Sequence, residues 1–283
     1  MRYQGKRPSH VAIFVTIIAT ASCAPPSPVK WEEIVSPPGG IDGRPLLSLI
    51  GTEASTSAAP APEGEFPQPV CPQSIRVATD GAGGRYAAWW APRADSSVVL
   101  VVARRSAGDS AWNAPVIADA RDRGHGGCNR PAPAIAADAA RKYVHLAYHL
   151  DAPTGAGVYG GHSMESGTYF HDPVAIVYGD RPVATSIATS GEVVAVAYVD
   201  PNSARPRIAL ALSHTAGHLY EDRIDVSPSS MRATDPRVAI DGQRIAVAWT
   251  AEEWEAGAQG SRTMLRMGTL TGPAATREGG RGQ

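Results

Sequence analysis

Hydrophobic and polar positions along this chain repeat one order four times. A short apolar strand leads into a tight turn, and a second apolar strand follows and closes on an aromatic. The copies run from Ile75 to Trp89, from Ile135 to Tyr148, from Ile187 to Tyr198 and from Val238 to Trp249. Their shared alanines, Ala78, Ala136, Ala188 and Ala239, lie 58, 52 and 51 residues apart. A strand-rich unit of about 50 residues cannot bury both of its faces alone, and stacking such units around an axis gives a β-propeller. The pattern predicts an all-β fold, with about four visible four-stranded blades over residues 71–270.

The third repeat shows one blade in full. Ser186 to Thr189 reads as a first strand, and Ser190-Gly191 as a turn. Val193 to Val199 is almost wholly apolar and reads as a strand buried on both faces. Arg207 to Ser213 alternates as a third strand, and Tyr220 to Val226 makes a fourth. The fourth repeat has a third strand at Thr263 to Leu270 but lacks a fourth. Trp31 to Pro37 resembles the Tyr220–Pro228 stretch, so residues 31–37 are expected to supply that outer strand and close the ring. Residues 38–70 are rich in Pro, Ala, Gly and Ser and read as a linker, with Leu46 to Ile50 as a stray apolar run. Residues 271–283 read as a polar, disordered tail.

The N-terminus reads as a targeting segment. Arg2, Lys6 and Arg7 precede the apolar stretch Val11 to Ala19, which falls short of the roughly 20 residues that span a bilayer. Thr20-Ala21-Ser22-Cys23 resembles a bacterial lipobox. The resemblance implies a lipoprotein signal peptide over 1–22, lipidation at Cys23, a tether over 23–30 and an outer-membrane location, periplasmic or surface-facing. Simple secretion after an A-x-A site is the alternative. Export gives the other two cysteines a meaning. Cys71 and Cys128 occupy equivalent places in adjacent repeats, and outside the cytoplasm they are expected to form a disulfide.

Composition narrows the partners. The net charge is −1 from 26 basic and 27 acidic residues, and no basic stripe stands out, so nucleic acid is not an expected partner. The 29 glycines and 24 prolines supply the turns that many short strands need. No histidine, cysteine and acid cluster has zinc spacing, and no nucleotide-binding loop is present. Neither a metal nor a cofactor is expected, and a monomer is.

Between the third and fourth strands a second motif recurs. Ser163, Glu165, Gly167 and Phe170 share their spacing with Ser213, Thr215, Gly217 and Tyr220, and Ser106 to Trp112 is a shorter copy. These stretches resemble the Asp-box hairpins of the sialidase-like (BNR-repeat) propellers. In that family the acid caps the hairpin, the glycine provides the turn, the aromatic packs on the sheet, and the motif lies away from the active site. The resemblance covers about 200 residues.

The opposite face is where a ligand is expected. Arg130, Arg181 and Arg232 each lie six or seven residues before a repeat's anchor alanine. Guanidinium forks suit carboxylate or phosphate groups. Asp180 and Asp235 lie beside two of them, and the loops add His149, Asp151, Asp200, Glu252, Glu253 and Trp254. Sialidases grip a sugar carboxylate with three arginines. The Phe/Tyr-Arg-Ile-Pro motif of that family is absent, and no Tyr–Glu pair carries over. The chain therefore reads first as an exported, lipid-anchored binding or scaffold module for a protein or glycan, and second as a sialidase-like glycoside hydrolase, with catalytic residues unknown.

Overall fold

The computed structural model describes residues 27–37, 66–67, 69–255 and 258–271. Their strands form four antiparallel sheets of four. Blade 1 comprises β2 (Arg76–Thr79), β3 (Arg85–Pro92), β4 (Val98–Arg105) and β5 (Val116–Asp119). Blade 2 comprises β6 (Ala134–Asp138), β7 (Tyr143–Ala152), β8 (Gly155–Ser163) and β9 (Val174–Tyr178). Blade 3 comprises β10 (Thr185–Ser190), β11 (Val193–Val199), β12 (Ile208–Ser213) and β13 (Asp222–Asp225). Blade 4 takes β14 (Arg232–Asp241), β15 (Arg244–Glu255) and β16 (Ala258–Leu270) from its own repeat, and β1 (Val29–Val35) from the N-terminal side. The chain is an all-β propeller of four blades.

β1 runs antiparallel to β16, from Val29 opposite Leu270 to Val35 opposite Leu265. It starts two residues before the 31–37 stretch read from the sequence. Val29 is buried in the apolar core that blades 3 and 4 share, and the Thr271 N–H donates to the Pro28 carbonyl at 2.8 Å. These contacts extend the pairing to the end of β16. The signal segment, Cys23, the Leu46 to Ile50 run and the tail after residue 271 lie outside the described residues. Phe66, near the end of the stretch read as a linker, is buried with its ring 5.6 Å from Trp89 and 5.1 Å from Trp112.

Each second strand is a central strand of its blade, paired on both sides, while the first strands face the axis. Trp89, Tyr148, Tyr198 and Trp249, the aromatics that close the repeats, are at most 1% exposed. Their neighbouring alanines let adjacent sheets approach, and the rings fill the wedge that opens away from the axis. One apolar cluster joins blades 2, 3 and 4, and another joins blades 1 and 2. The remaining faces of blade 4 (Ala239, Ala246, Ala248, Leu265) and blade 1 (Ile75, Val77, Trp89, Val101) form separate clusters. Among the described residues, then, β1 completes blade 4, but no continuous apolar core seals blade 4 to blade 1. The sheets do not close the ring by packing.

The topology sorts loops onto two faces. The front face carries the connections between blades and the loops from second to third strands. The back face carries the first-to-second turns and the third-to-fourth hairpins. On the back face, turns from all four blades surround a cavity of about 200 Å³ lined by Asp80, Ala136, Asp138, Ser190, Ile240 and Asp241. Asp80 and Asp138 cap their own turns there, accepting from the N–H groups of Ala82 and Ala140, each at 2.9 Å.

Candidate functional site

The three front-face arginines hold three separate sets of partners. Arg130 pairs with the buried carboxylate of Asp122 at 3.0 Å, donates from Nε to the Gly127 carbonyl at 2.8 Å, and lies over the Trp90 ring. Arg181 donates to the carbonyls of Asp200 and Ser203 at 2.7 and 2.8 Å, clamping the loop between β11 and β12. Arg232 pairs with Glu252, its cross-strand neighbour, at 2.8 Å, and both side chains are about half exposed. Neither ion pair uses Asp180 or Asp235. Asp235 sits in the bulge of β14 with a φ of 50°, beside a cavity of about 170 Å³ that Thr250, Ser261 and Thr263 also line. The side chains of Glu253 and Trp254 lie outside the described residues.

Four of the expected residues, His149, Arg130, Asp151 and Asp180, do come together at one place. His149, at the front end of β7, donates from Nε2 to the Gly179 carbonyl at 3.0 Å, so Nε2 carries the proton. Burial lowers its pKa; the Gly179 carbonyl pushes the other way, Arg130 adds to the lowering, and Asp151 and Asp180 oppose it. Arg130 and Asp180 therefore act on one imidazole, with Asp151 beside them. At the front edge of the same blade, on the other face of its sheet, stands Tyr178. Its ring is 54% exposed, yet it is braced edge-on by Tyr159 at 6.5 Å and lies against Gly155. Gly155 has a φ of 131°, and a Cβ there would meet the Tyr178 ring at 3.0 Å, so the close approach requires glycine.

Two buried networks behind the front face have no counterpart in the sequence reading. In the first, the Tyr148 hydroxyl donates to Asp119 at 2.8 Å, and Arg121 grips the same carboxylate with two bonds of 3.1 and 2.9 Å. Burial, with Asp119 beside it, pushes the Tyr148 phenol well above its usual value. In the second, burial disfavours ionisation of Asp200. The Asn202 N–H, the Ser203 hydroxyl, Arg223 and Arg207 outweigh that and hold its pKa below the usual range. Tyr198 lies nearby, its phenol pushed up to about 12 chiefly by burial. Asp119, Asp122 and Asp200 are each at most 6% exposed. They stiffen the loops and are closed to a ligand.

On the back face the two full hairpin motifs share one backbone. The Ser163 hydroxyl accepts from the N–H groups of Glu165 and Gly167 at 3.3 and 3.0 Å, and the Ser213 hydroxyl from Thr215 and Gly217 at 3.2 and 3.0 Å. Ser166 and Gly167, like Ala216 and Gly217, have positive φ. The serine, rather than the acid that the family resemblance implies, is thus the capping group, because its short side chain reaches both N–H groups. Phe170 is buried in the core between blades 1 and 2, and Tyr220 packs against Gly160.

The expected disulfide is present: Cys71 and Cys128 are bonded across 57 residues. Among the described residues, no group of three or more His, Cys, Asp or Glu side chains is arranged to hold a metal ion. No described helix is long and apolar enough to cross a membrane.

No protein-family model matches the chain, and no curated protein sequence does. Among solved structures, it is similar to the Hadza microbial sialidase Hz136 at 14% identity, over 65% of this chain and 42% of that one, with a TM-score of 0.44. The phage phi92 endosialidase is similar at 10% identity, over 72% and 36%, with a TM-score of 0.47. A family PL25 ulvan lyase is similar at 13% identity, over 73% and 50%, with a TM-score of 0.43. The chain spans half or less of each of these structures. At such identities their activities do not transfer to it.

Proposed function

We propose that this chain is an exported β-propeller, anchored by lipid on Cys23, that binds a protein or glycan ligand on the front face of blade 2. The observation that carries the reading is the exposed Tyr178 ring, held edge-on by Tyr159 and seated on Gly155 at the front edge of blade 2. An aromatic face held rigid at low entropic cost is a stacking platform for a sugar ring or an apolar side chain. Fold alone supports no more than a binding platform. The separate partners of Arg130, Arg181 and Arg232 weigh against the hydrolase reading, which needs them on one carboxylate. Binding of the full mature chain to peptidoglycan fragments and a glycan panel tests the proposal. Tyr178→Ala should weaken capture at least about tenfold, the order of 1.4 kcal/mol expected for a lost stacking contact, with circular dichroism unchanged. Unaltered capture would overturn it. Turnover of a fluorogenic sialoside would revive the hydrolase instead. Palmitate labelling that persists in Cys23→Ser would remove the anchor from the proposal.

A further inference from the structure

Four imidazoles meet on the back face where blades 2 and 3 join. His145 on β7 and His162 on β8 point toward blade 3 and are 1% and 2% exposed. His171 follows the blade 2 hairpin, and its ring stacks on His162 at 4.7 Å. His218 comes from the blade 3 hairpin. Its Nδ1 lies 2.7 Å from the Thr215 carbonyl and must donate to it, which leaves Nε2 as the acceptor of a neutral ring. His162 Nε2, 3.2 Å away, is then the donor. His162 Nδ1 and both ring nitrogens of His145 are buried without a partner.

This arrangement holds only while the rings are neutral. Protonating His162 and His218 together turns one N–H···N bond into two facing donors. Protonating His145 puts a charge where nothing accepts it, at a cost that grows with burial. The groups facing the cluster are Tyr143 and His145 from β7, His162 from β8, Tyr169 and His171 beyond the blade 2 hairpin, and His214, His218 and Tyr220 from the blade 3 hairpin. Carboxylates on these elements are engaged or exposed. Glu221 pairs with His214 at 3.5 Å, Glu192 with Arg141 at 2.8 Å, and Glu165 and Asp172 face solvent. Burial first, then the neighbouring imidazoles, lowers the pKa of His145 to about 3 and of His162 to about 4.

We propose that the seam between blades 2 and 3 is an acid-released latch, in which the blade 3 hairpin stays seated while His145 and His162 are neutral and lets go when they take up protons. Opening returns both rings to the ordinary imidazole range near 6.5. The closed form binds fewer protons than the open form, so acid favours opening and neutral pH favours closure. With two protons taken up, the opening constant should rise about a hundredfold per pH unit between about pH 6 and pH 4.

Blade 1 supplies an internal control. Tyr86 pairs with Ala78 as His145 pairs with Ala136, so both occupy one register position. The blade 2 hairpin seats Gly167 on Tyr86 as the blade 3 hairpin seats Gly217 on His145. Tyr86 does not change charge in this range, because burial raises its pKa from 10.0. Amide hydrogen exchange of the full mature chain from pH 7 to pH 5, corrected for intrinsic rates, tests the latch. Protection at Gly217 and Glu221 should fall about a hundredfold per pH unit below about pH 6, while Gly167 stays flat. The double variant His145→Leu/His162→Gln should flatten the slope at Gly217. Equal slopes in the two wild-type hairpins, or a slope that survives in the double variant, would overturn the proposal. So would an NMR titration of the wild type in which both rings protonate near 6.5 in the closed form.

Discussion

Blade 2 meets blade 1 through a disulfide, a buried carboxylate–guanidinium pair and an edge-to-face aromatic pair. It meets blade 3 through small aliphatic side chains and neutral imidazoles. One strand serves both seams. Successive residues of β7 alternate, so Val144, Leu146 and Tyr148 join the blade 1 cluster while His145 and Ala147 turn to blade 3. The two seams therefore differ in what can open them. A covalent bond and a fixed ion pair respond to reductant or mutation, whereas imidazoles respond to pH.

Reducing the disulfide should have the largest effect on this contrast. Closing a loop of 57 residues stabilises by about 4 kcal/mol in the chain-entropy model. Cys71→Ser/Cys128→Ser should lower the denaturant midpoint accordingly, without altering the pH slope at Gly217. Asp122→Ala comes next. It removes the partner of Arg130 and the acceptor for the Val98 N–H at 2.9 Å, which should cost about 3 kcal/mol in equilibrium unfolding. Gly217→Ala and Gly167→Ala then compare the hairpins directly. Each forces alanine into positive φ, at about 1 kcal/mol. A Cβ at 217 would also lie 3.3 Å from His145 Nδ1, against 3.6 Å from Tyr86 at 167, so the blade 3 variant should lose more. If the two variants melt together, the imidazole seam is looser than drawn. Arg141→Ala should have the smallest effect. Its pair with Glu192 is solvent-exposed, and Tm should not measurably change.

Much of the fold was legible because propeller blades announce themselves locally. A tight turn separates two apolar strands, and the second carries an aromatic. The outer strand of blade 4 was legible for the same reason, since Trp31 to Pro37 repeats a neighbour's outer strand, but the ring closure expected of it does not follow: no apolar core seals blade 4 to blade 1 among the described residues. The cysteine pair followed from equivalent repeat positions. The arginines were found, but their partners were not. Asp122 and the Asp200 and Ser203 carbonyls come from irregular loops whose path no periodicity records. The histidine cluster was not legible, since 145, 162, 171 and 218 share no spacing. They converge because blade 3 lays its hairpin on blade 2. The signal was in the register: His145 stands where Tyr86 stands one repeat earlier.

β1 has a consequence for how the whole molecule stands. Its first residue, Val29, pairs with Leu270 at the back-face end of blade 4, and Val29 follows Cys23 by six positions. Such a stretch reaches at most about 20 Å when fully extended. A lipid on Cys23 would therefore hold the back face down against the bilayer, with the axial cavity and both hairpins toward the headgroups. Tyr178 and the front-face loops would look outward, into the space where an unanchored partner diffuses.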